Sequence, residues 1–313
     1  MRLAAIDLGT NSTRLLVVEK SGSVLRPIHQ DLATTRLGRG SGHRSHLLPE
    51  AMEQTAKVAA EFFRRAQNLG AERIRMFGTS ALREADNQDR FLALLESRLG
   101  CKPEVLSGEE EARLTYSGAV GALKLEDSTV IIDVGGGSTE VIQGRGKQVL
   151  SLTSLRLGAV RLTERFLLSD PPTAAEWQAM LDFVSAQLKA ELLPLKDQAA
   201  QGVAVGGTAT TLAALELKLE RYSYAQVQGY FLPCSRLHSL TERMRLLPLA
   251  KRRQLPGLQP ERADIILAGA AILSLALEIL ALPGLTVSAA DLLLGSLYDL
   301  LAVYPLSQQR SRQ

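Results

Sequence analysis

Three consecutive glycines between acidic residues, in Asp133-Val-Gly-Gly-Gly-Ser-Thr-Glu140, join two apolar β-type runs, Thr129 to Val134 and Thr139 to Gln143, and constrain this chain more than any other feature. Without Cβ atoms a ligand can reach the backbone. The N–H groups of Gly135, Gly136, Gly137, Ser138 and Thr139 are therefore expected to close around the oxygens of an anion, as in a phosphate cradle. The N-terminus repeats the design: Leu3-Ala-Ala-Ile-Asp-Leu-Gly-Thr-Asn-Ser12 puts Asp7 at a strand end, then a glycine, then the polar side chains of Thr10, Asn11 and Ser12. The chain reads as an internal duplication.

Either loop alone is equally well a plain hairpin turn. The pair argues otherwise, because each is followed by a strand, a turn (Lys20-Ser-Gly-Ser23, Gly144-Arg-Gly146) and another strand (Val24 to Ala33, Lys147 to Thr153). A Walker loop would run from strand into helix and carry Gly-Lys-Ser/Thr, and neither loop does. Two strand-loop-strand phosphate clips in duplicated α/β domains are the layout of the actin, Hsp70 and sugar-kinase superfold. The expected units are residues 1–124 and 125–313, with a cleft between them.

With 313 residues, 46% of them hydrophobic, each unit can bury a core without staples. A formal charge of +3 demands neither nucleic acid nor an anionic membrane as partner. Cys101 and Cys234 lack metal-ligand spacing and read as buried inert thiols, and no signal-like segment precedes Ile6, so a reducing cytosol is the simplest compartment. The longest apolar run, Ile265 to Leu277, is shorter than the roughly 18–20 residues that span a bilayer and reads as a core helix.

Between the clips, Thr34 to His46 is rich in glycine and carries Arg36, Arg39 and Arg44, as a solvated loop or a guide for a polyanion. Pro49 opens an amphipathic helix to Asn68, Arg73 to Phe77 reads as a strand, and Thr79 or Ser80 can cap a helix bearing Arg83, by itself an ordinary surface charge. A helix over Asp89 to Leu99 and a strand over Lys102 to Leu106 follow. Ser107 and Glu110 form a capping box, which gives Glu110 a structural task. Glu111 has none, and shares a helix face with Thr115, Gly118 and Ala122, a strip of small residues that admits a close neighbour. Further on, Val203-Ala-Val-Gly-Gly-Thr-Ala-Thr-Thr211 leads into an apolar helix, Leu212 to Leu219, whose N-terminus can face the cleft. The last helix spans Ala289 to Val303, ahead of a polar tail, Ser307 to Gln313.

Together, Asp7-Leu-Gly-Thr-Asn-Ser-Thr-Arg14, Thr79-Ser-Ala-Leu-Arg-Glu-Ala85, Ser107-Gly-Glu-Glu-Glu-Ala-Arg113, the Asp133 loop, Gly206-Gly-Thr-Ala-Thr-Thr211 and Pro260-Glu-Arg-Ala-Asp264 resemble the exopolyphosphatase and guanosine-pentaphosphate phosphohydrolase family, in the family's order. The resemblance implies an actin-like fold and hydrolysis of a terminal phosphoanhydride with Mg²⁺ or Mn²⁺. It also implies Glu111 as general base, Asp133, Glu140 and, more weakly, Asp7 as holders of the metal, and Thr10 to Ser12, Gly135 to Thr139, Arg14, Arg83, Gly207 and Thr208 as substrate contacts, to which the basic loop adds Arg36. The implied substrate is inorganic polyphosphate, with guanosine pentaphosphate hydrolysis or a catalytically weak, phosphate-binding regulatory role as the alternatives; a homodimer is a candidate assembly. The family's Arg-Gly-Leu-Arg-Glu-Gly signature is replaced by Ala290-Asp-Leu-Leu-Leu-Gly295, so an arginine and a glutamate expected near the cleft are missing. The chain resembles the short, two-domain branch.

Overall fold

The computed structural model describes residues 1–22, 24–40, 42, 45–196 and 198–303. Its first strand, β1 (Arg2–Leu8), is buried from Leu3 to Leu8, as a central strand covered on both faces must be. It pairs antiparallel with β2 (Thr13–Ser21), which turns into β3 (Val24–Ala33). Helix α1 (Pro49–Asn68) crosses over to β4 (Ala71–Gly78), parallel to β1; α2 (Ser80–Arg83), α3 (Gln88–Leu99), β5 (Glu104–Val105) and α4 (Gly108–Leu123) follow. The strand order is β3-β2-β1-β4-β5.

The second half repeats this plan with β6 (Ser128–Val134), β7 (Thr139–Arg145) and β8 (Gln148–Leu155) as the antiparallel meander. After α5 (Ala159–Phe166) and α6 (Ala174–Leu192), β9 (Gln201–Val205) pairs parallel with β6 as β4 does with β1. Then come α7 (Gly206–Glu216), α8 (Tyr224–Val227), β10 (Phe231–Pro233), α9 (Cys234–Arg245), α10 (Leu249–Arg252), α11 (Ile266–Leu280), β11 (Gly284–Val287) and α12 (Leu292–Val303). This sheet runs β10-β11-β9-β6-β7-β8. The molecule has the duplicated actin-like α/β architecture expected from its paired loops.

Local sequence accounts for most boundaries. Proline opens α1, and Gly70, at φ +76°, turns the chain after it. The capping box of Ser107 and Glu110 is formed, with bonds of 3.1 and 2.8 Å. Other boundaries differ from expectation. Helix α7 starts at Gly206, because this glycine, at φ +84°, ends β9 where any Cβ would strike Asp133 Oδ1. Helix α12 starts three residues later than Ala289, because the Asp291 carboxylate caps it by accepting from Leu293 N at 3.0 Å. Strand β5 is two residues long, pairing only with Phe77 and Gly78. Cys101 is exposed rather than buried, since it follows the surface turn that ends α3 at Gly100, while Cys234 is half-buried. Arg44 and the tail from Ser307 lie outside the described residues.

The small-residue strip on α4 receives a helix rather than a ligand. A Cβ on Gly118 would meet Asp291 O, and one on Gly295 would meet Leu114 O, so α4 and α12 cross with their backbones in contact. Their apolar faces are exchanged between the halves. Ala112, Tyr116, Ala119 and Val120 of α4 pack on Ile131, Ile142, Val203 and Val205 of the second sheet. Leu292, Leu293, Leu294 and Leu297 of α12 pack with Leu3, Ala5, Leu16 and Val18 of the first. Leu293 and Leu294, which replace the family's arginine and glutamate, are thus core residues. A cut after residue 124 separates the two sheets but not the helices that cover them. No helix among the described residues is long and apolar enough to cross a membrane.

Gly295→Ala places a methyl group against the Leu114 carbonyl, so α12 has to move. Unfolding free energy should fall by about 1–3 kcal/mol, read as a lower urea midpoint. An unchanged midpoint would show that this crossing carries no packing constraint.

Candidate active site

The two glycine turns close in the same way. Gly9 N donates to Ser12 O at 3.1 Å and Gly135 N donates to Ser138 O at 3.0 Å. Each turn therefore uses its first N–H internally. The N–H groups of Thr10, Asn11 and Ser12, and of Gly136, Gly137 and Ser138, have no backbone acceptor among the described residues. This corrects the expected donor set at both its ends: Gly135 N is engaged within the turn, and Thr139 belongs to β7, its hydroxyl donating to Leu157 O at 2.6 Å. The turns face each other at contact distance. A Cβ on Gly136 or Gly137 would press on Thr10, and on Gly137 also on Ser80.

Between them lies a cavity of about 90 Å³. Asp7, Glu111, Asp133 and Glu140 line it with Arg14 and Arg262, so acids outnumber arginines by two before any ligand enters. The start of α7 adds Gly207 and Thr208, whose N–H groups lie in the unsatisfied first turn of a helix; the Thr208 hydroxyl donates to Val134 O at 3.3 Å.

Each acid is held differently. Asp7 Oδ2 accepts from Arg14 Nε and NH2 at 3.0 and 2.7 Å, while its Oδ1 is buried without a partner. Burial raises its pKa in spite of Arg14. Glu111 Oε2 accepts from Arg83 NH1 at 2.9 Å, and burial pushes the carboxyl up to about 7 against the pull of Arg83. Asp133 accepts from Thr115 at 3.3 Å and is also pushed up to about 7, by burial and by Asp291 and Glu111. Glu140 accepts from Ser154 at 2.7 Å and is driven well above the usual carboxylate range by burial, Glu111 and Asp133.

Four carboxylates pushed upward around one unpartnered oxygen suit a divalent cation chemically. Among the described residues, however, no three acids stand close enough to form a ready cage. One or two carboxylates completed by water and phosphate oxygens is the way magnesium is commonly held.

The other expected contacts are less direct. Arg83 reaches the cavity only through Glu111, its NH1 also donating to Leu106 O at 2.8 Å. Arg36 does not line the cavity: it pairs with Asp264 at 2.7 Å and donates to Glu261 O at 3.2 Å, from the first half to the second. Two further ties join the halves. Gly40 N and Gly42 N donate to Glu164 at 2.9 and 3.0 Å. Glu84 pairs with Arg156 and, at 2.9 Å, with Arg161, which in turn donates to Gly137 O at 3.1 Å.

Two residues without an assigned role in the sequence join the site. Arg262 spreads its guanidinium over Gly207 and donates through Nε to Gln259 at 2.9 Å; burial and the field of Arg14 lower its pKa to about 10. Asp291 pairs with Arg14 from the side opposite Asp7. Both stand in quoted motifs, yet nothing in their local pattern separates them from a surface arginine and a helix cap. Arg14, Gly206, Gly207 and Arg262 also line a larger cleft of about 470 Å³, so they form a neck between the two spaces.

Two amide-lined turns around a phosphate-sized cavity in a duplicated actin-like fold define a phosphate-handling member of that superfold. The Ppx/GppA phosphatase family model matches residues 16–303, and the chain belongs to this family. It is 37% identical over 310 residues to "Exopolyphosphatase 2" of Mycobacterium tuberculosis, covering 94% of this chain and 97% of that one. It is 32% identical to the "Guanosine-5'-triphosphate,3'-diphosphate pyrophosphatase" of Photobacterium profundum, covering 96% of this chain and 59% of the relative. The crystal structure of the Aquifex aeolicus Ppx/GppA family member superposes with a TM-score of 0.83 at 32% identity, covering 97% of this chain and 98% of that one.

The raised carboxyls set a pH dependence. A carboxyl whose folded pKa lies above its unfolded value binds extra protons in the folded state, so stability falls as pH rises between the two values. For metal-free protein the window runs from about 4, where free carboxyls titrate, to about 7, where Glu111 and Asp133 do. Melting temperature measured without metal should fall across it, and added Mg²⁺ should restore most at the upper end. A flat profile with no Mg²⁺ response would contradict this charge assignment.

Proposed function

We propose that this protein is an exopolyphosphatase of the cytosol that hydrolyses the terminal phosphoanhydride of inorganic polyphosphate and releases orthophosphate. The carrying observation is the pair of matched turns facing each other across a cavity of about 90 Å³ with the carboxylate of Glu111 on its wall.

In this reading the free amides of Thr10 to Ser12 and Gly136 to Ser138, with Arg14 and Arg262, grip the terminal phosphate; catalysis of phosphoryl transfer is largely positioning and charge stabilisation. Glu111 takes a proton from a water whose oxygen bonds to the terminal phosphorus. The bridging P–O bond breaks, and its electron pair leaves with the shortened chain. A carboxyl titrating at about 7 suits a base that works near neutral pH. Arg83 orients that carboxylate. Asp133 and Glu140, with Asp7 nearby, would hold Mg²⁺ or Mn²⁺, which when bound supplies the positive charge that the acid-rich lining lacks.

A second reading, hydrolysis of guanosine pentaphosphate at its 5′ end, is favoured by Tyr222 and Tyr224, which line the larger cleft and can pack on a base. Phosphate release from polyphosphate, guanosine pentaphosphate and ATP, measured in parallel with Mg²⁺, tests both. Release from polyphosphate is expected to dominate, and release from ATP alone would overturn them.

Glu111→Gln keeps size but removes the base. Its kcat should fall on the order of 10²–10⁴-fold with little change in KM, whereas Glu110→Gln, which keeps the capping box, should be nearly silent. Equal losses at both positions would remove Glu111 from the base role. Asp133→Asn should raise the Mg²⁺ concentration for half-maximal activity. An unchanged midpoint would place Asp133 outside the metal's surroundings.

A further inference from the structure

Asp291 divides its two oxygens between separate tasks. Oδ1 caps α12 by accepting from Leu293 N at 3.0 Å, and Oδ2 is paired with Arg14 NH1. Arg14 presents its other edge to Asp7 Oδ2, so one guanidinium is held between two carboxylates. The cap alone explains Oδ1 and leaves the second oxygen unexplained.

The position of this carboxylate matters for a long anion. Asp291 lines the larger cleft and not the small cavity, so it stands just beyond the neck formed by Arg14, Gly206, Gly207 and Arg262. A chain whose terminal phosphate fills the small cavity and whose further units run into the adjoining cleft passes these four residues. Beyond them the cleft offers Leu16, Leu32, Leu258, Leu293 and Leu294, two tyrosines, and the acids Asp31, Glu220 and Asp291. The field of Asp291 reaches across this space: after burial, it is the largest cause of the raised pKa of both Tyr222, pushed up to about 12, and Tyr224. Among the residues lining this cleft the cations are Arg14 and Arg262, both at the neck.

We infer that Asp291 is a specificity-determining residue that limits how much of a phosphate chain the cleft engages, by fixing a negative charge where the units beyond the neck would lie. The inference rests on the exopolyphosphatase reading and deepens it. Each unit past the neck meets repulsion and apolar walls, so affinity stops growing with chain length and shortened chains are released between turnovers.

The test uses Asp291→Asn, because asparagine caps a helix as well as aspartate does but carries no charge. Asp291→Ser, a second uncharged cap, guards against an effect peculiar to the amide. For each protein, kcat/KM per chain end is measured for tripolyphosphate and for polyphosphate of several tens of units, at low and high salt, with calorimetric binding of both chains alongside. Both variants should raise the long-to-short ratio on the order of three- to tenfold at low salt, mainly through KM, and high salt should shrink the gain. An unchanged ratio in variants that melt like the parent would reduce Asp291 to a helix cap. If the parent hydrolyses neither chain, the exopolyphosphatase reading fails, and the long-to-short affinity ratio from calorimetry still decides the role of Asp291.

Discussion

Gly118 and Gly295 let the backbones of α4 and α12 touch, and that contact determines what reaches the cleft. Each helix starts at the site: Glu111 lies in the first turn of α4, and Asp291 is the cap of α12. Each then covers the sheet of the opposite half. The halves are therefore joined through two exchanged helices as well as through the chain. Close-packed side chains and touching backbones at this crossing resist sliding of one helix past the other.

The cleft is electrostatically unbalanced by construction. Asp7, Glu111, Asp133 and Glu140 are withdrawn from water, and of the two arginines on the cavity wall Arg14 is already engaged between two aspartates, while Arg262 bonds to the neutral Gln259. A phosphate entering alone would add negative charge to this surplus. An anion and a cation entering together would not. In the proposed reading the free amides of the two turns and the start of α7 would take the anion and the carboxylates the cation, so that binding of each would support binding of the other.

The fold was legible where its causes are local. Helix α1 runs from Pro49 to Asn68 as read from the sequence, Ser107 and Glu110 cap α4, and the repeated aspartate-glycine turns disclosed the duplication. The carboxylates came with the motifs. What the sequence hid was long-range pairing: that Asp291 would clamp Arg14 from 277 residues away, that Arg36 would close on Asp264, and that Arg262 would lie over Gly207. Periodicity does not encode such partners. The end residues of the glycine cradle were misread for a related reason, since the Gly135 to Ser138 bond depends on how the turn folds back.

The ties between the halves carry a mechanical consequence. Arg36 with Asp264, Glu164 with the Gly40 and Gly42 amides, and Glu84 with Arg156 and Arg161 all join the halves on one side, and Arg161 also holds the glycine turn itself. Breaking one exposed pair is easy; parting all of them together is a concerted and slower event. Glu84 and Arg161 are largely buried beside the Gly137 turn, so these ties brace the turn as well as join the halves. A change of charge at Glu84 or Arg161 is therefore felt at the glycine turn that lines the cavity, and not only in the cohesion of the two halves.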